Sequence, residues 1–316
     1  MKKFILKTLW FIFPAIILAY PLDIVMSYYL SQTHEYPGEY EVWNDIYNSD
    51  ANCDIAIYGS SRAWVHIDPK IISDSLGLKA YNFGIDGHSF WLQYLRYLEH
   101  TKYNDEPSTI ILSVGLETLQ KRDELYQMDQ FLPYMLWNSN IQEYTSSYIG
   151  YNILDYCLPL IRYFGKTSAS NLIKQNIAKG KGTNTYRQNG FLGMDREWNS
   201  DLEKAKTQLK SLRINRDVNC LLLFDKFINE CKANNIELIL VYTPEYIDYQ
   251  NIWENRDDII KTYRDFSIKY AVDFIDYSND SICLDKTYFY NGSHLNSLGA
   301  DVFSKKLACD LKARSR

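Results

Sequence analysis

The sequence predicts a doubly wound α/β fold with a mainly parallel sheet of five strands. Two continuous apolar runs, TIILSV at 109–114 and IELILVY at 236–242, are typical of strands that helices cover on both faces. Helical patterns separate the strand candidates, and strands that alternate with helices form parallel sheets with right-handed crossovers. A chain of 316 residues exceeds the common size of one domain but allows one enlarged α/β domain.

The strand candidates are short apolar segments, and a glycine directly follows each of the first three. In chain order the candidates are 54–58, 80–83, 109–114, 236–242 and 272–275. Asp68 and Pro69 have the residue types of a helix N-cap and first turn, and Gly77 ends the same helical pattern. Further helices are expected at about 89–100, 200–212, 221–234, 255–270 and 297–313.

The N-terminus predicts a membrane anchor. Three lysines in the first seven residues precede an uncharged apolar run at 8–22, and further apolar residues after Asp23 extend the span to residue 30. The basic flank is expected to stay in the cytoplasm, which sends the rest of the chain outward. We therefore expect residues 1–30 to anchor the protein in the cytoplasmic membrane, with the catalytic domain in the periplasm or at the cell surface. A cleaved signal peptide and a buried N-terminal helix are the alternatives.

The remaining chain divides into three predicted parts. Residues 31–50 are polar and aromatic, as is typical of a linker. The alternation of strands and helices occupies 51–118 and 219–316, which form the predicted catalytic domain. Between them, residues 119–218 lack this alternation and are too long for a plain connection. This segment, with a Gly-Lys-Gly-Thr loop at 180–183, is expected to be an inserted cap over the carboxyl ends of the strands, where open sheets bind ligands.

Composition narrows the possible partners. A net charge of -5 with scattered basic residues argues against nucleic-acid binding. The six cysteines form no C-x-x-C pair, which excludes a zinc ribbon, and no cluster of His, Asp and Glu has metal-ligand spacing. The sequence therefore predicts neither a metal nor a cofactor. The 27 tyrosines are compatible with carbohydrate contact or with ordinary packing.

A candidate nucleophile follows the first strand. Gly59 allows a tight turn at the strand end, and Ser60, Ser61 and Arg62 come directly after it. At this position the Ser61 hydroxyl faces a site at the sheet edge, while the Ser61 N–H faces a developing oxyanion.

A candidate base lies in the segment Asn291–Asn296, just before the last predicted helix. His294 in this segment is placed to serve as general base and then as general acid for a serine at the same sheet edge. We expect the other histidines to be ordinary surface or core residues; they are His34, His66, His88 and His100. Among these four, His88 is the next candidate for a site residue because it follows Gly87.

These two segments together resemble the SGNH (GDSL-like) hydrolase family. The first block of that family is similar to Gly59-Ser60-Ser61, in which Ser61 matches the nucleophile and Ser60 replaces an aspartate. The second block is similar to the segment 82–87, and Gly87 matches the glycine whose N–H helps to form the oxyanion hole. The resemblance implies a flavodoxin-like strand order.

The last block of the family, Asp-x-x-His, is similar to Asn291–His294. The resemblance covers about 51–118 and 219–313, and it implies that Arg62, Asp86 and Glu117 line the site.

Two departures from the family pattern bear on activity. Glu117 stands where the family has an asparagine that donates to the oxyanion, so it would repel the oxyanion if ionised and donate only if protonated by burial. Asn291 replaces the aspartate that orients the histidine, and an amide does not stabilise imidazolium as a carboxylate does. A Ser61–His294 dyad held by Asn291 is one solution, and Asp285 is a possible substitute acid.

The resemblance implies an extracytoplasmic ester hydrolase or O-acyltransferase that acts on a cell-surface glycan or other acylated polymer through an acyl-enzyme on Ser61. The N-terminal anchor points to the membrane-anchored branch of the family. The alternative is a protein that has lost turnover and serves as a membrane-tethered binding or assembly partner, which Glu117 and Asn291 support.

Overall fold

The computed structural model describes residues 1–179, 186–208 and 212–314. The predicted Gly-Lys-Gly-Thr loop at 180–183 lies outside these ranges. The helices, in chain order, are α1 (Lys2–Ser31), α2 (Glu39–Tyr47), α3 (Ser61–His66), α4 (Pro69–Leu76), α5 (Phe90–Tyr103), α6 (Ser139–Thr145), α7 (Ile153–Cys157), α8 (Thr167–Lys179), α9 (Asp201–Gln208), α10 (Val218–Ala233), α11 (Ile247–Gln250), α12 (Arg256–Tyr270) and α13 (Ser297–Arg314). The strands are β1 (Ile55–Gly59), β2 (Ala80–Asn82), β3 (Thr109–Val114), β4 (Glu237–Tyr242), β5 (Asp273–Asp276), β6 (Phe289–Asn291) and β7 (His294–Leu295).

The chain divides into two compact units. The first unit consists of Met1–Asn44 and Asp123–Tyr186, and its described residues are helical or irregular. The second unit consists of Asp45–Arg122 and Arg187–Arg316, and it contains both sheets. The segment 119–218, which the sequence analysis treats as one inserted cap, is thus divided between the two units.

A buried ion pair joins α1 to the segment after α7 inside the first unit. Two guanidinium nitrogens of Arg162 donate to Asp23 at 2.8 and 2.6 Å, and both side chains are almost fully buried. Asp23 also accepts the N–H of Leu160 at 2.6 Å. A buried pair is stable only when further hydrogen bonds satisfy its atoms, which this arrangement provides. Asp23, which the sequence places within the apolar span, therefore packs against protein.

The N-terminal segment forms a single helix, α1, that contains Pro14 and Pro21. Within the described part of the chain, no helix combines the length and the apolar character that crossing a membrane requires. The membrane anchor at 1–30 therefore stays a prediction.

The segment 31–50, interpreted from the sequence as a linker, contains helix α2. Trp43 of this helix is completely buried and donates from its indole nitrogen to Gln130 at 3.1 Å. The nine residues of α2 mix charged and apolar side chains, and this stretch is too short for its periodicity to distinguish a helix from a loop.

The predicted α/β architecture is confirmed in the second unit. Its main sheet has the order β2-β1-β3-β4-β5, and every neighbouring pair is parallel. This is the flavodoxin-like order that the sequence resemblance implies. The ends of the five predicted strands agree with the observed ones to within one residue.

Helices cover both faces of this sheet. On one face, Ile57 and Val241 belong to a buried core with Phe303 of α13. On the other face, Tyr58 contacts Tyr97 of α5 with ring centroids 6.0 Å apart. Because successive residues of a strand point to opposite faces, a strand covered on both sides is apolar throughout. The sheet is therefore doubly wound, as predicted.

Two short elements that the sequence analysis missed lie close to the candidate site residues. Helix α3 has six residues, and strands β6 and β7 form a small antiparallel hairpin before α13. Neither element is long enough for apolar periodicity to reveal it.

Gly59 at the end of β1 allows α3 to pack closely on the sheet. The φ angle of Gly59 is +150°, a conformation that residues with a side chain rarely adopt. A Cβ atom at this position would lie 2.8 Å from the Cβ atoms of both Ala63 and Ser113. The turn into α3 therefore requires glycine on two separate physical grounds.

We expect Gly59→Ala to lower the free energy of unfolding by about 2–4 kcal/mol, because it combines backbone strain with overpacking. Urea denaturation followed by circular dichroism measures this loss. Gly77→Ala is the matched control, since Gly77 has a φ of +71° but nothing within 4 Å of a built Cβ. The control is expected to lose only about 1–2 kcal/mol, and equal losses in the two variants would contradict the packing argument.

Candidate active site

Ser61 and His294 lie next to each other at the carboxyl end of β1. Ser61 is the first residue of α3, and His294 begins β7 in the hairpin before α13. Ser61 Oγ and His294 Nε2 are 2.8 Å apart, which is a hydrogen-bond distance. The fold thus brings together the two residues that the sequence analysis selected as nucleophile and base.

The hydrogen bonds of Asn291 determine which nitrogen of the His294 ring carries the proton. The Asn291 Oδ1 atom accepts the backbone N–H groups of Ser293 and His294 at 3.0 and 2.9 Å, so it acts as the amide oxygen. The same oxygen lies 3.0 Å from His294 Nδ1, which must therefore be protonated and donate to it. Nε2 is left with a free lone pair, and the Ser61 hydroxyl donates to it. This is the tautomer that a general base needs.

The surroundings of His294 favour its neutral form. Burial, followed by the positive charges of Arg62 and Arg196, lowers the pKa of His294 from 6.5 to about 3. The side chains that hydrogen-bond the ring in the described structure are neutral; they are Ser61, Asn291 and Ser293. The ring also stacks on Tyr290, with centroids 5.4 Å apart. An imidazolium at this position therefore has little stabilisation.

The residue after the nucleophile is held in a buried ionic network. Arg62 donates to Glu245 at 2.7 Å and to the side chain of Thr243 at 3.1 Å, and it also bonds the Thr243 carbonyl. The Tyr242 hydroxyl donates to the other oxygen of Glu245 at 2.5 Å, and the Arg62 guanidinium lies over the Tyr242 ring. Glu245 raises the pKa of Arg62 against the opposing effect of burial, so that Arg62 is charged. These contacts join the first turn of α3 to the carboxyl end of β4.

His66 joins the other end of α3 to the strand that carries His294. His66 Nε2 accepts the backbone N–H of Leu295 at 3.0 Å, so its Nδ1 carries the proton and donates to Thr243 Oγ1 at 2.9 Å. Burial, with the charge of Arg62, lowers the pKa of His66 well below 6.5 and keeps the ring neutral. This histidine, expected to be an ordinary residue, is therefore part of the support of the site.

A small cavity opens at Ser61. Its volume is about 90 Å³, which is room for a small acyl group rather than a long chain. Gly87, with a φ of +70°, lies in the cavity wall. The cavity is lined by Ser60, Ser61, Arg62, Gly87, His88, Ser89, Gly115, Leu116, Glu117, Thr118, Arg122, Glu245, Tyr249, Trp253, Ser293 and His294.

Glu117 lines this cavity from an exposed turn. The Thr118 hydroxyl accepts the N–H of Gly115 at 2.8 Å, which closes the turn after β3. The Glu117 side chain is half exposed and pairs with Arg122 at 2.8 Å. Glu117 is thus not buried beside the nucleophile, and Arg122 offsets its charge.

Two predicted site residues lie away from the reacting atoms. Asp86 is buried, accepts the indole N–H of Trp64 at 3.2 Å, and is not among the described residues that line the cavity. Asp285 is exposed and accepts the N–H and the hydroxyl of Thr287. The Asp285 carboxylate therefore accepts hydrogen bonds within its own turn. Asn291 is the residue that orients His294.

The other three histidines, outside the Ser61–His294 contact and the His66 support, lie in three different environments. His88 lies in the cavity wall. His100 is buried, with Nδ1 2.7 Å from the Tyr58 hydroxyl, and burial lowers its pKa to about 4. His34 pairs with Glu41 at 2.7 Å in the first unit.

The residues around the site that the sequence analysis missed include Thr243, Glu245, Tyr249 and Ser293. Thr243 and Glu245 directly follow the apolar run of β4, and polar residues at the carboxyl end of a buried strand are a signal for a site in an open sheet. Ser293 was within the selected segment, but its hydroxyl lies 2.9 Å from His294 Nδ1, a contact that sequence does not reveal.

No protein-family model and no curated protein matches this chain. Similar solved structures include a GDSL-like lipase from Bacteroides thetaiotaomicron, with 13% identity, a TM-score of 0.39, and coverage of 87% of this chain and 98% of that chain. Another is an acetyl xylan esterase, with 14% identity, a TM-score of 0.38, and coverage of 82% and 98% respectively.

Glu245→Gln is expected to lower the free energy of unfolding by about 3–5 kcal/mol, because it leaves the buried Arg62 charge without a counter-ion. Chemical denaturation measures the loss. Glu117→Gln removes the same charge from an exposed pair with Arg122 and should cost at most about 1 kcal/mol. A Glu245→Gln variant as stable as Glu117→Gln would show that Arg62 does not depend on this partner.

Proposed function

We propose that the protein is a serine ester hydrolase or O-acyltransferase that forms an acyl-enzyme on Ser61. The observation that supports this function is the 2.8 Å contact between Ser61 Oγ and an unprotonated His294 Nε2 at the wall of a small cavity. A hydroxyl next to a base, with the base oriented by a third group, is the arrangement that activates a serine nucleophile.

The reaction follows from these atoms. Ser61 Oγ attacks the ester carbonyl carbon while its proton moves to His294 Nε2. As the tetrahedral intermediate collapses, the leaving alkoxide takes that proton and departs as the alcohol, and the acyl group stays on Oγ. Water or an acceptor hydroxyl then gives its proton to Nε2 and attacks the acyl carbon. As the second tetrahedral intermediate collapses, Ser61 Oγ leaves the acyl carbon and takes that proton back from Nε2, which restores the serine hydroxyl and the neutral histidine.

The developing oxyanion is stabilised by backbone donors. The N–H of Ser61 lies in the first turn of α3, where N–H groups have no partner within the helix. Gly87 lies in the same cavity wall and supplies the second N–H. The exposed Glu117 supplies no donor, so we infer that this oxyanion hole is weaker than one with a side-chain amide.

We also propose that the predicted anchor, residues 1–30, holds the protein in the cytoplasmic membrane through its apolar part before Asp23, and that the second unit acts outside the cytoplasm on a cell-surface glycan or similar polymer. Large apolar side chains on this part of α1 are exposed to solvent, including Phe4, Trp10 and Leu18. Further along α1, Asp23 packs against protein through its pair with Arg162.

Deletion of residues 1–22 tests the anchor. The full chain should remain with membranes after high-salt and carbonate washes, whereas the shortened chain, which keeps Asp23, should be released. Protease added to spheroplasts should digest the catalytic unit only if that unit lies outside. Release of the full chain by the washes would contradict the proposed anchor. Protection of the catalytic unit from protease would contradict its proposed location outside the cytoplasm.

Ser61→Ala is expected to abolish labelling by a fluorophosphonate probe and hydrolysis of p-nitrophenyl acetate, because it removes the only atom that forms the acyl-enzyme. Ser60→Ala is the matched control: Ser60 lines the same cavity but makes no side-chain capping bond to α3, and it should keep most of the activity. Equal labelling of wild type and Ser61→Ala would overturn the proposed mechanism. Absence of labelling in wild type would favour a non-catalytic binding protein.

Asn291→Asp is expected to raise turnover about tenfold, because a carboxylate stabilises the imidazolium that forms in the transition state. In wild type the base is neutral above its pKa of about 3, so activity should persist well below pH 6.5 and fall only as the pH approaches 3. The new carboxylate raises the pKa of His294, which should move the acidic limb of the kcat/KM profile to higher pH. An unchanged limb would show that Asn291 does not control the ring.

A further inference from the structure

A segment of the first unit faces solvent with apolar side chains and buries its charges. Within residues 149–165 the two charged residues, Asp155 and Arg162, are almost completely buried. The exposed residues of this segment, which lies wholly within the described part of the chain, are uncharged. The large exposed side chains are those of Ile149, Ile153, Leu154, Ile161 and Phe164, the last of which is 89% exposed. A surface in contact with water usually shows the opposite distribution, so this segment is a candidate for contact with an apolar partner.

Helix α7 shows the same inversion residue by residue. The buried Asp155 carboxylate accepts the backbone N–H of Asn152 at 2.7 Å. The hydroxyl of Tyr156, also buried, lies 2.8 Å from the hydroxyl of Thr145. The polar groups of this helix therefore point inward, and the residues of its outer face, three and four positions apart, are Ile153, Leu154 and Cys157.

Trp137 joins the outer face of α7 to α1. Its ring stacks on Tyr20 of α1 with centroids 5.1 Å apart, and 61% of the residue is exposed. Its backbone N–H donates to the Tyr156 carbonyl and its indole nitrogen to the Cys157 carbonyl, both at 2.9 Å. The φ angle of Trp137 is +57°, a conformation that is costly for a bulky residue. A large apolar ring is thus held at the surface against backbone strain, and such strain is often found at functional sites.

The position of Tyr20 along α1 gives the level of this surface. At 1.5 Å per residue, residues 2–22 of α1 form a helix about 30 Å long, which equals the thickness of the hydrocarbon core of a bilayer. Tyr20 then lies at the outer boundary of that core, where Trp and Tyr side chains concentrate in membrane proteins. Just beyond it, Asp23 accepts the N–H of Leu160 and pairs with Arg162, so the segment of α7 approaches α1 at the same boundary.

We propose that Trp137 and the outer face of α7 lie in the interface of a phospholipid bilayer, beside the end of the α1 anchor. The inference rests on the proposed anchor and gives the first unit a second contact with the membrane. A lipid partner accounts for both observations, the inward charges of the segment and the level of Trp137 beside Tyr20. A protein partner accounts for the first alone. The first unit is then held against the membrane surface at two places, α1 and α7.

The two exposed cysteines supply a matched pair of probe sites. Cys157 belongs to the outer face of α7 and Cys309 to α13 of the second unit, whereas the other four thiols are buried. The full chain is labelled with a nitrobenzoxadiazole fluorophore at Cys157 in a Cys309→Ser variant, and at Cys309 in a Cys157→Ser variant. Each labelled protein is reconstituted into phosphatidylcholine and phosphatidylglycerol vesicles.

A lipid that carries a spin label near its headgroup should quench the probe at Cys157 strongly and the probe at Cys309 weakly. Acrylamide in the water should quench the Cys157 probe about threefold less than the Cys309 probe, because the interface excludes water from the outer face of α7. Fluorescence measured with each quencher reads the two environments in the same vesicles.

Leu154→Glu tests the apolar face itself. Leu154 is exposed, so the change should leave the fold intact, as circular dichroism will show. A carboxylate is costly among acyl chains, so quenching of the Cys157 probe by the spin-labelled lipid should fall about twofold. Leu222→Glu is the matched control, because Leu222 is exposed on α10 of the second unit and should leave the quenching unchanged.

The outcomes separate this inference from the proposed function. If carbonate washes release the full chain from the vesicles, the anchor is wrong and the inference fails with it. If the chain stays bound but acrylamide reaches both probes equally, or Leu154→Glu changes nothing, the anchor stands and the inference is overturned. Protection of the Cys157 probe from acrylamide without quenching by the lipid label would identify a protein partner and would also overturn it.

Discussion

The buried Arg62–Glu245 pair is the interaction on which the geometry of the site depends. Arg62 follows the nucleophile directly, and its guanidinium holds the first turn of α3 to the carboxyl end of β4. Taking this pair out of water is costly, and the bonds to Thr243 and Tyr242 offset the cost by satisfying the remaining atoms. His66 fixes the far end of the same short helix to the backbone of β7. Helix α3 therefore carries Ser61 on a support attached at both ends.

This support favours a neutral dyad over a charged triad. Arg62 stands close enough to lower the pKa of His294, and Asn291 offers the ring an oxygen without a negative charge. Nδ1 of His294 carries the proton, as a general base requires, but an imidazolium gains little stabilisation, so we expect turnover to be slow. The loop around Gly292 positions His294 and packs against the Tyr249 side chain.

The sequence predicted the site in part, for reasons that individual residues make clear. Ser61 and His294 were recognisable because a glycine turn after a strand and a polar loop before a helix are local signals. Asp285 is a possible acid and Asp86 an expected site-lining residue by type, yet Asp285 accepts from Thr287 and Asp86 accepts from Trp64. Burial was the condition for Glu117 to donate, and exposure is a property of the surrounding fold that residue type does not reveal.

Residue order by itself determined the five parallel strands, the helix that begins at Pro69, and the glycine that ends β1, because apolar runs, caps and turns depend on neighbours in the chain. Tertiary structure decided the proton position on His294, the charge network behind Ser61 and the shape of the cavity. These features depend on distances between segments far apart in sequence, such as the 2.8 Å that separates Ser61 Oγ from His294 Nε2. Hydrogen bonding and desolvation act over a few ångströms in space, and local sequence patterns do not encode such distances.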